Sequence, residues 1–191
     1  MAHRRRDERV GYHHVVARGN NKREIFVDDD DRETFIDTLN RKANRHGWEI
    51  LAYCLMRNHY HLVLRVDERG LSAGMCELNT TYATRFNTKH GRINHLFGKR
   101  YWSAYLGTEA RLLSAIRYVV QNPQRAGLVG SHESYVWSSY RASIGLALPF
   151  ARLAVGELLE LFGSDPRHAI AQFRVFCADT DPPGHVRRQP P

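Results

Sequence analysis

The chain has 191 residues, 42% hydrophobic and 25% charged, a balance that suits one soluble domain with a real core and excludes a mainly disordered chain. No run of about 18 apolar residues exists, which argues against a membrane-spanning helix, and residues 1–9 carry charge with no apolar stretch behind them, so they do not read as a secretory signal. The net charge of +8 is concentrated: residues 81–141 hold 9 basic residues against only Glu109 and Glu133, and a positive field of that kind points to a polyanion such as nucleic acid, with a solvated basic face as the plain alternative.

Residues 12–18 (YHHVVAR) are aromatic and β-branched, end at Gly19-Asn20-Asn21, and read as a first strand. An acidic run, Asp28 to Asp31, precedes Phe35, Ile36, Leu39 and Ala43 at helical spacing; acids at a helix N-terminus complement the backbone dipole, and Gly47 should end the helix. Residues 48–56 and 59–66 read as two strands of a hairpin turning at Arg57-Asn58. Leu71, Met75, Leu78, Tyr82 and Phe86 mark a second helix over 71–87, followed by a basic loop over 89–100. Residues 101–106 (YWSAYL) read as a fourth strand, and Thr108 as the N-cap of a third helix that Pro123 should end near Asn122. The order β-α-β-β-α-β is the ferredoxin-like pattern: an α+β fold, an antiparallel sheet with helices on one face. Beyond it lie an irregular aromatic segment around Trp137, one or two short helices between Ala151 and Cys177, and a proline-rich tail over 179–191 that reads as disordered.

His59 and His61 stand two apart on a predicted strand, so both imidazoles project from one face, about 6–7 Å apart. An ion between them is within reach of both, but eleven histidines in the chain make the pair alone weak evidence, and two ordinary histidines on a sheet face is the competing reading. No thiolate or carboxylate completes a zinc set. Cys54 sits among apolar residues of the neighbouring strand and reads as core; the three cysteines (Cys54, Cys76, Cys177) have no close spacing and suit a reducing cytoplasm. On the third helix Leu112, Leu113, Ile116, Val119 and Val120 form the apolar stripe. Tyr118 falls about 160° from Ile116, on the side of Arg111, Ser114, Gln121 and Asn122. Two readings stand for it: a surface tyrosine packed on a loop, or a nucleophile beside an amide that ligates a metal.

Asn58-His59-Tyr60-His61-Leu62, Tyr82-Ala83 with Phe86-Asn87, Tyr101-Trp102, Tyr118-Val119-Val120-Gln121-Asn122-Pro123, Arg125-Ala126-Gly127-Leu128-Val129 and Trp137-Ser138-Ser139-Tyr140 follow one another in an order that resembles the bacterial REP-associated tyrosine transposases, a subgroup of the single-tyrosine HUH transposases. The resemblance covers about residues 10–145, the transposase-like domain, leaving 146–178 as a short helical extension. It implies single-stranded DNA as substrate, with palindromic repeat hairpins as the partner, a cytoplasmic, nucleoid-associated setting, and a monomer or homodimer. It implies Mg²⁺ or Mn²⁺ held by His59 and His61. It implies attack by Tyr118 on a phosphate, giving a 5′-phosphotyrosine and a 3′-hydroxyl that rejoin without ATP. Asn122 is the third ligand by the family pattern; related enzymes carry Gln there, and Gln121 is one residue away. Arg57 stands where the family often has Pro. Arg18-Gly19-Asn20 resembles a segment involved in DNA recognition, which brings Arg18 and Asn20 into the DNA-binding set. From the charge distribution, Arg85, Lys89, Arg92, Arg100, Arg117 and Arg125 join them as phosphate contacts. The alternatives are a metal-dependent phosphodiesterase that uses water and a non-catalytic nucleic-acid-binding module.

Overall fold

The computed structural model describes residues 9–179. The predicted tail therefore lies almost entirely outside the described residues. The elements run β1 (Gly11–Arg18), α1 (Asp29–His46), β2 (Glu49–Met56), β3 (His59–Val66), α2 (Ser72–Lys89), β4 (Trp102–Tyr105), α3 (Glu109–Arg125), α4 (Tyr140–Ser143), α5 (Val155–Glu160) and α6 (Pro166–Ala178), with short 3-10 turns at Asn20–Lys22 and His132–Ser134. The sheet is antiparallel in the order β2-β3-β1-β4. That is the ferredoxin-like arrangement the sequence predicts. Among the described residues no helix is long and apolar enough to cross a membrane.

The local chemistry explains most boundaries. Asp28 caps α1 by accepting the Asp31 amide at 2.9 Å, while the Asp31 carboxylate accepts the Val27 amide at 2.8 Å. Gly47 ends the helix with φ 64°, a left-handed conformation that costs a residue without Cβ little. One boundary differs from expectation. Pro123 does not stop α3; it sits inside the last turn, and the helix runs on to Arg125 before Gly127 (φ 69°) turns the chain. A proline costs a helix only the amide it lacks and the room its ring takes, and with one further turn the Ala126 amide still reaches Asn122 O at 3.0 Å.

The sheet carries a separate core on each face. On one, α1 and α2 bury Phe35, Leu39, Leu78 and Tyr82 against Val15, Tyr60 and Leu62. On the other, Ala52, Cys54, Met56 and Val63 would be bare apolar surface without a second layer; α3 supplies it with Leu112, Ile116, Val119 and Val120, joined by α5 and α6. The two helices of the β-α-β-β-α-β unit thus share a face, and the third helix with the C-terminal segment covers the opposite one. Of residues 146–178, Leu158, Leu159, Ala169, Phe173 and Cys177 belong to that second core, whereas Leu153, which bridges to Ile50, lies in the first. Glu157 accepts from the Arg65 guanidinium (2.8 and 3.0 Å) and from the Tyr12 hydroxyl (2.8 Å), tying α5 to both central strands.

Candidate active site

Alternation on β3 puts His59 and His61 on the α3 face, and Tyr60 and Leu62 in the core beneath α1 and α2. Pairing with β1 sets His59 opposite Arg18 and His61 opposite Val16. The imidazole centroids are 5.0 Å apart with planes at 82°. Each ring is held through Nδ1. His59 Nδ1 lies 2.6 Å from Asn58 Oδ1, and His61 Nδ1 lies 3.0 Å from His14 Nε2. Asn58 is itself fixed, since its side-chain amide donates to Lys22 O at 3.0 Å and its carbonyl accepts the Gly19 amide at 2.8 Å.

The third helix brings the remaining groups. Tyr118 and Asn122 are one turn apart and face the histidines. The Asn122 amide is 3.2 Å from His61 Nε2 and also lies against His59. The Tyr118 ring is 5.5 Å from the His61 ring and 5.9 Å from that of His14, edge-on to both, and the Arg125 guanidinium stands 5.6 Å over it. Its hydroxyl has no hydrogen-bond partner among the described residues. All of these groups come from one chain.

The electrostatics favour neutral imidazoles. Burial pushes His14 and His59 down to about 4, Arg18 lowering His59 further, while burial and then the neighbouring His14 and His59 carry His61 well below its ordinary range. Neutral rings tied at Nδ1 offer their Nε2 lone pairs to a cation, and half a turn of the Asn122 amide presents its oxygen beside them. The donor set fits a divalent ion of intermediate hardness. Cys54, directly across from His61 on β2, does not join it: burial raises its thiol, which lies 3.6 Å from the Met56 sulfur.

Gln121 is excluded from this cluster by its direction. Its amide nitrogen donates to Cys177 O and Asp179 O, both at 2.9 Å, and the side chain is buried against the end of α6. The expected basic residues divide in the same way. Arg18 is half-buried beside His59 and has no ion pair among the described residues; Arg125 is over Tyr118. Asn20 follows Arg18 on the continuation of β1, its amide donating to Leu96 O at 2.8 Å, so the basic loop over 89–100 runs alongside. Arg85 and Arg100 are exposed, and Arg92 stands 5.5 Å over the Phe86 ring. Arg117 is turned away from the site, 4.3 Å over Phe176 and 3.4 Å from the Asp179 carboxylate. Lys89 is held by Asp28, Asp30 and Asp31 at 2.7, 2.7 and 3.0 Å, which neutralises it as a phosphate contact. Asp28, Asp31 and His90 come close enough together to suggest a second cation site, but the Lys89 ammonium already supplies the positive charge there, in the layer of α1 and α2.

Two residues of the site are not singled out by the sequence, His14 and Asn58. Strand alternation puts His14 on the face of Tyr12, Val16 and Arg18, a usable signal, but the register of β1 on β3 that brings it to His61 is a long-range fact.

Comparison with known proteins bears on this geometry. A family model described as transposase IS200 like matches residues 9–122. The solved structure of a REP-associated tyrosine transposase bound to a REP hairpin superposes with a TM-score of 0.65 at 17% identity, covering 78% of this chain and 90% of that one. A putative transposase from Deinococcus radiodurans R1 aligns with a TM-score of 0.44 at 18% identity, over 64% of this chain and 97% of that one. No curated protein matches in sequence. With well over half its length matched and a four-stranded antiparallel fold in common, the chain belongs to the IS200-like transposase family.

Proposed function

We propose that the protein cleaves and rejoins single-stranded DNA through a covalent bond to Tyr118, at sites beside hairpins. The observation that carries this reading is the approach of α3 to β3, which sets Tyr118 and Asn122 against His59 and His61 within one chain. Family membership supports a DNA-cleaving enzyme, and the hairpin bound to the structural relative supports the substrate class.

His59 Nε2, His61 Nε2 and the Asn122 amide oxygen would hold the Mg²⁺ or Mn²⁺, which when bound polarises the scissile phosphate. The rest falls to the chain. The Tyr118 oxygen attacks phosphorus, the P–O3′ bond breaks, the phenolic proton is lost and the leaving oxygen gains one, and the 5′ end stays esterified to the tyrosine. One phosphodiester replaces another, so the reverse attack by a 3′-hydroxyl rejoins the strand. Arg18 and Arg125 place positive charge on two sides of the attacked phosphate without reading sequence.

The test uses 3′-labelled single-stranded hairpin DNA with Mn²⁺ on a denaturing gel. Wild type should carry label on the protein. Tyr118→Phe should bind the DNA and give neither adduct nor cleavage. Cleavage by the Phe variant would identify a phosphodiesterase that uses water; absence of both adduct and cleavage in wild type would leave a binding module.

A further inference from the structure

Two imidazoles of this site are joined to one another, and the bond has a direction. His14 Nε2 and His61 Nδ1 are 3.0 Å apart; the ring centroids are 5.3 Å apart and the planes differ by 24°. The centroid separation exceeds the nitrogen separation by about two ring radii. The rings therefore meet edge to edge along the N–N line, as an in-plane N–H···N hydrogen bond requires, and not face to face. Because the two lone-pair directions point at each other, no ion can share both nitrogens, so His14 is not itself a ligand beside His61 Nδ1.

His61 Nε2 receives the Asn122 amide N–H at 3.2 Å, which places the single proton of the neutral His61 ring on Nδ1, from where it is donated to His14 Nε2. His14 is 7% exposed, on β1, and its ring is braced edge-on by Trp102 at 5.5 Å and Tyr118 at 5.9 Å. A ring so held cannot turn away to release the bond.

We infer that His14 is a positioning residue that locks His61 in the tautomer and orientation that present Nε2 to the metal. This rests on the metal-ligand reading of His59, His61 and Asn122 and adds to it a specific supporting group. Outer partners of this kind are worth about 10–100-fold in metal affinity. The ring does a second job that is only structural, since it packs against Tyr118 and Trp102, and the two jobs separate by substitution. His14→Phe keeps a ring and loses the acceptor. His14→Gln loses the ring and keeps an acceptor at about the reach of Nε2.

The experiment measures Mn²⁺ binding to the full chain without DNA by calorimetry, and the tautomer of His61 in the metal-free protein by imidazole ¹⁵N spectroscopy. Wild type should show His61 protonated at Nδ1. His14→Phe should lose about 10–100-fold in Mn²⁺ affinity and show a mixed tautomer, and His14→Gln should recover most of the loss. His61 protonated at Nε2 in wild type overturns the proposal, and that measurement needs no variant to fold. So does equal Mn²⁺ affinity in His14→Phe, with the ligand assignment left standing. Wild type that binds no Mn²⁺ overturns the ligand assignment itself, and this proposal with it.

Discussion

The two faces of the sheet are built from alternate residues of the same strands, and they differ in what polarity they tolerate. Toward α1 and α2, Phe26, Phe35, Tyr60 and Tyr82 pack ring against ring, with Phe35 4.6 Å from Tyr60 and 5.1 Å from Tyr82. The polar ends of the two tyrosines are each satisfied, Tyr60 by Asn79 and Tyr82 by Ile25 O. Toward α3, the face sets His14, His59 and His61 among apolar side chains, with Cys54 opposite His61 and Val63 opposite His14. One face holds the sheet rigid; the other spends part of its buried surface on histidines that burial keeps neutral. A period of two along β3 is enough to keep the two functions apart.

The largest effect expected from this division is a crossed pair of variants. Phe35→Ala removes a fully buried ring and should cost about 3–5 kcal/mol in urea unfolding, while cleavage survives at temperatures where the variant is folded. His59→Ala should cost less than about 1 kcal/mol and remove metal-dependent cleavage. If the two lose stability alike, the faces are not functionally distinct.

A smaller contrast lies within α3. Gln121→Ala leaves the Cys177 and Asp179 carbonyls short of a donor and should cost about 1–3 kcal/mol with cleavage retained. Asn122→Ala should leave stability nearly unchanged and weaken Mn²⁺ binding. The reverse result would make Gln121 the ligand and require α3 to rotate.

The smallest effect concerns two cations that look alike in the sequence. Arg18→Ala should lower the slope of log affinity for single-stranded DNA against log salt by about 0.7, the contribution of one neutralised phosphate. Lys89→Ala should leave the slope unchanged and lower thermal stability slightly, because its charge is spent on Asp28, Asp30 and Asp31. A Lys89 slope change equal to that of Arg18 would place DNA across α2.

The fold was largely legible because its signals are local: the Asp28 cap, the Gly47 stop, the two-residue hairpin at Arg57-Asn58, and the strict alternation of β3. Even the opposite directions of His59 and Tyr60 follow from adjacency alone. What was not legible depends on contacts between distant segments. A helical wheel puts Gln121 and Asn122 together on the polar side of α3. Only the packing of α6 against that side separates them, burying the first and leaving the second at the histidines. Lys89 reads as part of a basic loop until the N-terminus of α1, some 60 residues earlier, is found beside it. His14 reads as strand filler until β1 is in register with β3.

The grip of α6 on Gln121 has a mechanical consequence. With Val119 and Val120 pressed into the sheet and the neighbouring amide fastened to the end of α6, α3 is a beam clamped on two sides rather than an arm on a hinge. On the proposed chemistry, a DNA end esterified to Tyr118 would stay where the bond was made, and any exchange of strands would have to come from the DNA sliding past a fixed tyrosine. The fastening carbonyls belong to residues 177 and 179, far beyond residue 122 where the family match stops. A fragment cut to the matched region would keep Tyr118, Asn122 and the two histidines but lose both Arg125 and the clamp on α3.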